Sequence, residues 1–128
     1  MKIPKLPDNI KVHSTVWRTI KAIAISNENT AAKIVQRIAK LGFDPKPFNE
    51  ECTSKVVQNL KKYKINIRRL NCIDIGGYRI FYAIRKSGLI CIYAVVFAKG
   101  DSHDDAYRED SKHYILIKLL YKQWRECQ

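Results

Sequence analysis

The chain has 128 residues, of which 24 are Lys or Arg and 12 are Asp or Glu, so its formal net charge is +12 at pH 7. A chain of this length can bury a core without the disulfide framework that much smaller proteins need, and it fits one domain. The charge excess favours a nucleic acid, a ribosome surface or an acidic protein as partner, or else it only keeps the surface solvated. We therefore predict a single domain over residues 1–128, with 1–13 as an N-terminal arm.

The first part of the chain has the pattern of an arm followed by two helices. Residues 1–13 contain two prolines and are predicted to form an extended arm or a short edge strand. Apolar residues recur at helical spacing after Ser14, a candidate N-cap, and again after Thr30, a second candidate cap. Gly42 ends the second pattern. The prediction is a helical hairpin, followed by a proline-rich loop and a short helix that ends near Leu60.

The pattern then changes to that of strands. The β-branched residues of 64–74 favour a first strand, although apolar and polar positions alternate only in part. Gly76-Gly77 provides a reversal before a second strand at 78–86, which is apolar on both faces. Ser87-Gly88 makes the next turn, and 89–97 is an almost continuous apolar run. We predict that this last strand is central and covered on both sides.

The tail, from about 104 to 126, consists of good helix formers and is predicted to pack on the sheet as a helix. The fold class is therefore α+β: an N-terminal helical hairpin packed on a small twisted, mainly antiparallel sheet, with a C-terminal helix. The tail has more apolar residues than one buried helix face requires. Three interpretations stay open: part of the set forms a docking surface, it completes the core, or it contributes to a homodimer. The members of the set are Tyr114, Ile115, Ile117, Leu119, Leu120, Tyr121 and Trp124.

The cysteines are scattered and lack the C-x-x-C spacing that would bring two thiolates to one metal. They are Cys52, Cys72, Cys91 and Cys127. We expect them to be reduced thiols, with no metal site and no cofactor. The N-terminus has no apolar core of a secretory signal, and nowhere do 18 apolar residues run together. A soluble, cytoplasmic protein without a membrane partner is the expectation.

Two segments resemble a known family. GGYRIFYAI at 76–84 is similar to the GDYRIIY-like strand of the RelE/ParE superfamily of toxins from type II toxin–antitoxin pairs. AVVFAKGDSHDDAY at 94–107 is similar to the strand and tail in which members of that family carry active-site residues. Together with the predicted order of helices and strands, the resemblance covers about residues 14–110, and the chain looks like a RelE-like member.

The resemblance implies a function as well as a RelE/ParE-like fold. RelE-like toxins are ribosome-dependent mRNA interferases, in which the ribose 2′-OH attacks the adjacent phosphorus without a metal ion. The implied partners are a cognate antitoxin, acidic and partly disordered, together with the ribosome and mRNA. Two alternatives stay open: a ParE-like inhibitor of DNA gyrase with no nuclease activity, and an inactive relative that only binds an antitoxin or nucleic acid.

The resemblance also implies catalytic residues. Arg79 occupies the Arg of the G-Y-R strand, where ribonuclease members hold the phosphate; its alternative is an outward-facing strand charge. Tyr107 matches a C-terminal Tyr that stacks on a base or transfers a proton; otherwise it anchors the last helix. His103 lies four residues before Tyr107 and titrates near neutrality. Lys99 would supply a second cation. The alternative for His103 and Lys99 is a solvent-exposed side chain.

The segment at 61–69, which leads into the first predicted strand and includes its beginning, is basic, and we expect it to grip ribosomal RNA. The cations concerned are Lys61, Lys62, Lys64, Arg68 and Arg69. Where well-known ribonuclease members carry Lys on the strand leading into G-Y-R, this chain has Leu70, Cys72 and Asp74. Asp101 stands where they have a downstream Arg. It and the two acids that follow closely would repel a phosphate, or else would cap the last helix.

Overall fold

The computed structural model describes residues 5–47, 60–97 and 112–128. This part of the chain contains three helices and a four-stranded mixed sheet, which confirms the predicted α+β class. The elements are β1 (Ile10–Val12), α1 (Ser14–Ser26), α2 (Glu28–Leu41), β2 (Arg68–Cys72), β3 (Tyr78–Ile84), β4 (Ile90–Phe97) and α3 (Lys112–Gln123). None of the helices described is long and apolar enough to cross a membrane.

The sheet has the strand order β1-β4-β3-β2. β1 pairs with β4 in parallel, and the other two pairs are antiparallel. β4 is therefore central, as its apolar run predicts, and β1 is the edge strand expected for the N-terminal arm. A bulge interrupts the β3–β4 pair, because Phe81 lies opposite Ala94 while Tyr82 lies opposite Ile92. The extra residue, Tyr93, consequently lies in the same core cluster as its neighbour Ala94.

Helices cover both faces of the sheet. The α1–α2 hairpin packs on one face through a core of buried aliphatic residues that includes Ile20, Ile34 and Ile38. α3 packs on the opposite face through Tyr114 and Ile117, both almost completely buried. Alternate residues of each strand point to alternate faces, so the continuous apolar runs of β3 and β4 are what a sheet covered on both sides requires.

The two N-terminal helices are capped by side chains that precede the predicted caps, by one position in α1 and by three in α2. His13 caps α1, with its Nδ1 accepting a hydrogen bond from the Thr15 backbone N–H at 3.3 Å. Asn27 caps α2, with its Oδ1 accepting from the Thr30 N–H at 3.1 Å. The candidate caps Ser14 and Thr30 were therefore wrong, because the acceptor belongs on the residue outside the first helical turn.

Gly42 ends α2 as predicted, but not by adopting a left-handed conformation. Its φ is −65°, which any residue can adopt. Glycine is needed because the arm crosses here: a Cβ at residue 42 would lie 2.8 Å from the Cγ of Pro7. The Asn9 side chain also donates to the Gly42 carbonyl at 3.0 Å. Close packing of the arm on the end of α2 thus holds β1 beside β4.

The first predicted strand is shorter than 64–74. β2 begins only at Arg68, because the chain turns at 62–64 and Lys64 has a positive φ of 60°. It ends at Cys72, where the 3₁₀ turn Ile73–Ile75 leads into Gly76 and Gly77, both at positive φ. The helix predicted to end near Leu60 lies mostly outside the described residues.

A disulfide joins Cys91 of β4 to Cys127 near the C-terminus, with the two Cα atoms 6.1 Å apart. The expectation that every cysteine is a reduced thiol was therefore wrong for this pair. The chain turns back after α3 in a short 3₁₀ segment, Arg125–Cys127, which buries Cys127 against the sheet. Cys72 is a free, buried thiol, and Cys52 lies outside the described residues.

Candidate functional site

Arg79 is buried in the sheet, with only 8% of its surface exposed. It is the second residue of β3 and lies opposite Asn71 of β2 and Val96 of β4. Its Nη1 donates to the Tyr78 carbonyl at 3.3 Å, and its Nε has no hydrogen-bond partner among the described residues. The alternative reading of Arg79 as an outward-facing strand charge is therefore wrong.

Arg69 lies on the same face of the sheet as Arg79. It is 2% exposed and sits opposite Phe81, which is two residues along β3 from Arg79. Arg69 and Arg79 are thus diagonal neighbours of an antiparallel pair, whose Cβ atoms lie about 7–8 Å apart or less. A buried guanidinium group is stable only beside opposite charge or good acceptors. We call these two residues the arginine pair.

The pairing of β2 corrects the expectation that Leu70 and Cys72 take the places of the family's strand lysines beside Arg79. Leu70 and Cys72 lie in the core beneath the helical hairpin, on the opposite face from the arginine pair. Asn71 and Arg69 are the residues that share a face with Arg79. The 3₁₀ turn between β2 and β3 lengthens the connection, and a shift of one residue moves every side chain to the other face. Asp74, in that turn, forms an exposed ion pair with Arg37.

His113, which the sequence analysis did not single out, lies next to this site. It is the second residue of α3 and half-buried, and its ring centroid is 5.6 Å from that of Phe81. Phe81 lies directly across from Arg69 and two residues along β3 from Arg79, so His113 contacts a ring that stands beside both positions of the arginine pair. Only the packing of α3 on the sheet brings them together, and no spacing in the sequence signals it.

The three remaining catalytic candidates, Lys99, His103 and Tyr107, lie outside the described residues. β4 ends at Phe97, two residues before Lys99. Phe97 lies opposite Tyr78, with the two ring centroids 5.5 Å apart, at the same end of the sheet as Arg79. Phe97, the last described residue before these candidates, therefore lies opposite the residue that precedes Arg79.

The basic residues expected to grip RNA do not form one strip. Lys61, Lys62 and Lys64 are exposed before β2 begins. Arg68 lies opposite Tyr82, on the face covered by the helical hairpin, whereas Arg69 belongs to the arginine pair on the other face. The five cations therefore lie in three places. The three lysines are at the surface, Arg69 is buried in the arginine pair, and Arg68 is partly buried on the other face of the sheet.

Electrostatic shifts concern groups outside this site. Burial raises the pKa of the Cys72 thiol to about 11, with a smaller opposing effect of Arg37, so it stays protonated and is no nucleophile at neutral pH. Burial also raises the pKa of Tyr93 to about 12. Burial and then the charge of Arg18 lower the pKa of His13. In the part of the chain described, no cluster of three or more His, Cys, Asp or Glu could hold a metal ion.

Comparison with protein-family models, curated proteins and solved structures finds no match to this chain. The resemblance to the RelE/ParE superfamily accordingly rests on the two segments at 76–84 and 94–107, and what it implies stays a prediction. The arrangement of charged and polar side chains on the sheet is an observation that does not depend on that resemblance. Two buried arginines and Asn71 lie on one face of the sheet, and His113 contacts Phe81 on that face. That arrangement suits an anion such as a phosphate.

Proposed function

We propose that this protein is the toxin of a type II toxin–antitoxin pair and acts as a RelE-like, ribosome-dependent endoribonuclease on mRNA. The observation that carries the proposal is the arginine pair. Arg69 and Arg79 are both buried on one face of the sheet, and Arg79 lies opposite Val96, near the end of β4, whose last four residues begin the segment at 94–107. Arginine suits this role because its planar group donates two hydrogen bonds at once to a phosphate.

The chemistry makes defined demands on the site. The 2′-OH of a ribose loses its proton to a base and attacks the adjacent phosphorus, while the bond from phosphorus to the 5′ oxygen breaks and that oxygen gains a proton. The products are a 2′,3′-cyclic phosphate and a 5′-OH. Negative charge grows on the phosphoryl oxygens in between, and fixed guanidinium donors stabilise it by several kcal/mol when water is excluded. The arginine pair meets this demand.

Proton transfer needs a group that titrates near neutral pH. His113 lies against Phe81, the residue opposite Arg69, and His103 and Tyr107 are the candidates of the neighbouring segment. A histidine in such a place accelerates the reaction by roughly 10² to 10⁴. We assign one proton transfer to His113 and leave the other to His103 or Tyr107.

The proposed partners follow from the same assignment. A toxin of this class acts in the cytoplasm and is neutralised there by an acidic antitoxin. Ile115 and Leu119 support a docking role for α3, because they lie one turn apart on its outer side and are 56% and 48% exposed. Tyr114, Ile117 and Leu120 form the buried side.

A translating extract tests the proposal directly. Added protein should cut mRNA within codons, leaving new 5′ ends that primer extension detects, and blocking initiation should abolish the cuts. Intact mRNA in the translating extract would contradict the proposal. The same preparation is assayed for inhibition of supercoiling by purified gyrase, and inhibition without mRNA cleavage would favour the ParE-like alternative.

A further inference from the structure

Aromatic rings and cations alternate along one flank of α3. The Nζ of Lys118 lies 4.6 Å from the ring centroid of Tyr63, in the turn before β2. The Cζ of Arg85, just after β3, lies 4.2 Å from the ring centroid of Tyr121. Lys118 and Tyr121 are three residues apart and so are neighbours on the helix surface. We call these four residues the ladder.

The ladder is separate from the arginine pair. Arg85 and Arg79 stand at opposite ends of β3, six residues apart, which corresponds to about 20 Å along a strand. Its surroundings are basic: the exposed neighbours are Lys61, Lys62, Lys64, Lys86 and Lys122. Residues 60–64, 85–86 and 112–125 include no Asp or Glu. The flank therefore carries a positive potential that no acid of these segments offsets.

We propose that this flank binds single-stranded RNA, with lysines on the phosphates and unpaired bases stacked on the tyrosine rings. A positively charged groove with interspersed aromatic rings is the general device by which proteins hold single strands. Tyr63 is 49% exposed, so that part of its ring is accessible to a base. Duplexes keep their bases stacked on each other and would use only the lysines. The inference goes beyond the proposed function, because binding here requires no cleavage.

Binding to a labelled 12-nucleotide RNA tests the inference with the full chain. The RNA carries 2′-O-methyl groups, so that no 2′-OH attack can occur and a failure of the nuclease proposal leaves this result untouched. The Lys61→Gln/Lys62→Gln variant should weaken binding about tenfold at physiological salt, and the slope of log K against log salt should fall by about 1.4. The matched control is Lys21→Gln/Lys33→Gln, which removes two exposed charges from the helical hairpin on the other face.

Tyrosine variants separate stacking from charge. Tyr63→Ala should weaken binding about tenfold or more, whereas Tyr63→Phe, which keeps the ring, should bind as the wild type does. Melting curves confirm that each variant is folded. Equal losses in the two lysine variants would overturn the inference, because binding would then follow net charge alone. A duplex RNA of the same length that binds as tightly as the single strand would overturn it as well.

Discussion

At the scale of residues, Arg79 is the side chain on which the proposed chemistry depends most. Replacing it with Gln removes the positive charge and keeps most of the volume. We expect the single-turnover rate of mRNA cleavage to fall about 10²–10³-fold, which is the usual effect of losing one donor to a developing oxyanion. Arg69→Gln should have an effect of the same order, because both groups share one sheet face.

The control for this experiment is Arg18→Gln, which removes an exposed arginine from α1 on the other side of the sheet. It should cleave mRNA at the wild-type rate. Arg79→Lys keeps the charge but not the two-pronged donor, and it should recover only part of the rate. If Arg79→Gln is as active as Arg18→Gln and equally well folded, then Arg79 does not act on the phosphate.

Tyr93 offers a residue-scale prediction about stability. Its ring is fully buried at the bulge of β4, and its hydroxyl has no hydrogen-bond partner among the described residues. Tyr93→Phe removes an unsatisfied polar atom, and we expect the free energy of unfolding to rise by about 1 kcal/mol. In contrast, Tyr82→Phe loses a 2.7 Å hydrogen bond to the Pro45 carbonyl and should lower it by a similar amount. Urea unfolding distinguishes the two, and a loss of stability in Tyr93→Phe would contradict the account.

His13 gives the fold a dependence on pH. Its Nδ1 accepts from the Thr15 N–H, which requires a deprotonated nitrogen, and burial lowers its pKa from the usual 6.5. The unfolded chain therefore binds the proton at a higher pH than the folded chain. The stability that neutral His13 contributes is complete above about pH 6.5 and is lost as the pH falls through the lower folded pKa.

The measurement is the urea midpoint between pH 7.5 and 5 for the wild type and for His13→Asn, since Asn caps a helix without titrating. The wild type should lose stability relative to the variant as the pH falls. A difference between the two that stays constant over this range would show that His13 does not titrate differently on folding.

At the scale of elements, α3 and its short C-terminal turn are held to the sheet by a covalent link. The Cys91–Cys127 disulfide spans 36 residues, and closing a loop of that length contributes about 4 kcal/mol in the chain-entropy description. We expect guanidinium unfolding to show a loss of this size on addition of dithiothreitol. Cys127→Ser should be unaffected by the reductant. An unchanged wild-type midpoint would mean that the disulfide does not form in solution.

β2 is the element at which sequence reasoning failed most instructively. Its apolar and polar residues alternate only in part, and the 3₁₀ turn after it is not evident from composition. The resemblance therefore placed Leu70 and Cys72 where family members carry Lys. The register of Asn71 with Arg79 and of Arg69 with Phe81 gives the opposite assignment. A strand's face follows from its pairing, which a single sequence does not reveal.

At the scale of the whole molecule, local patterns were sufficient for the fold class. Helical periodicity predicted α1 and α2, and the apolar runs of β3 and β4 predicted a sheet covered on both sides. Features that depend on contacts between distant residues were not predictable. The Cys91–Cys127 link and the approach of His113 to Phe81 both arise because α3 packs across the sheet.

The positive charge of this protein is divided between two places in the fold, and we assign a different task to each. The sequence shows only that the protein is basic. The arginine pair is buried at one end of β3, and the ladder with its exposed lysines lies at the other. A messenger held at the ladder would raise the local concentration of RNA near the arginines. Loss of the lysines should therefore raise KM for RNA more than it lowers kcat, while loss of the arginine pair should lower kcat.

The proposed cleavage of mRNA by the arginine pair is tested most directly by a map of RNA 5′ ends in cells after brief expression of the wild type and of the Arg69→Gln/Arg79→Gln variant. We expect new ends inside translated codons with the wild type, and these ends should disappear with the folded variant and when initiation is blocked. The absence of new ends, or an identical pattern of ends with the variant, would contradict the proposed cleavage.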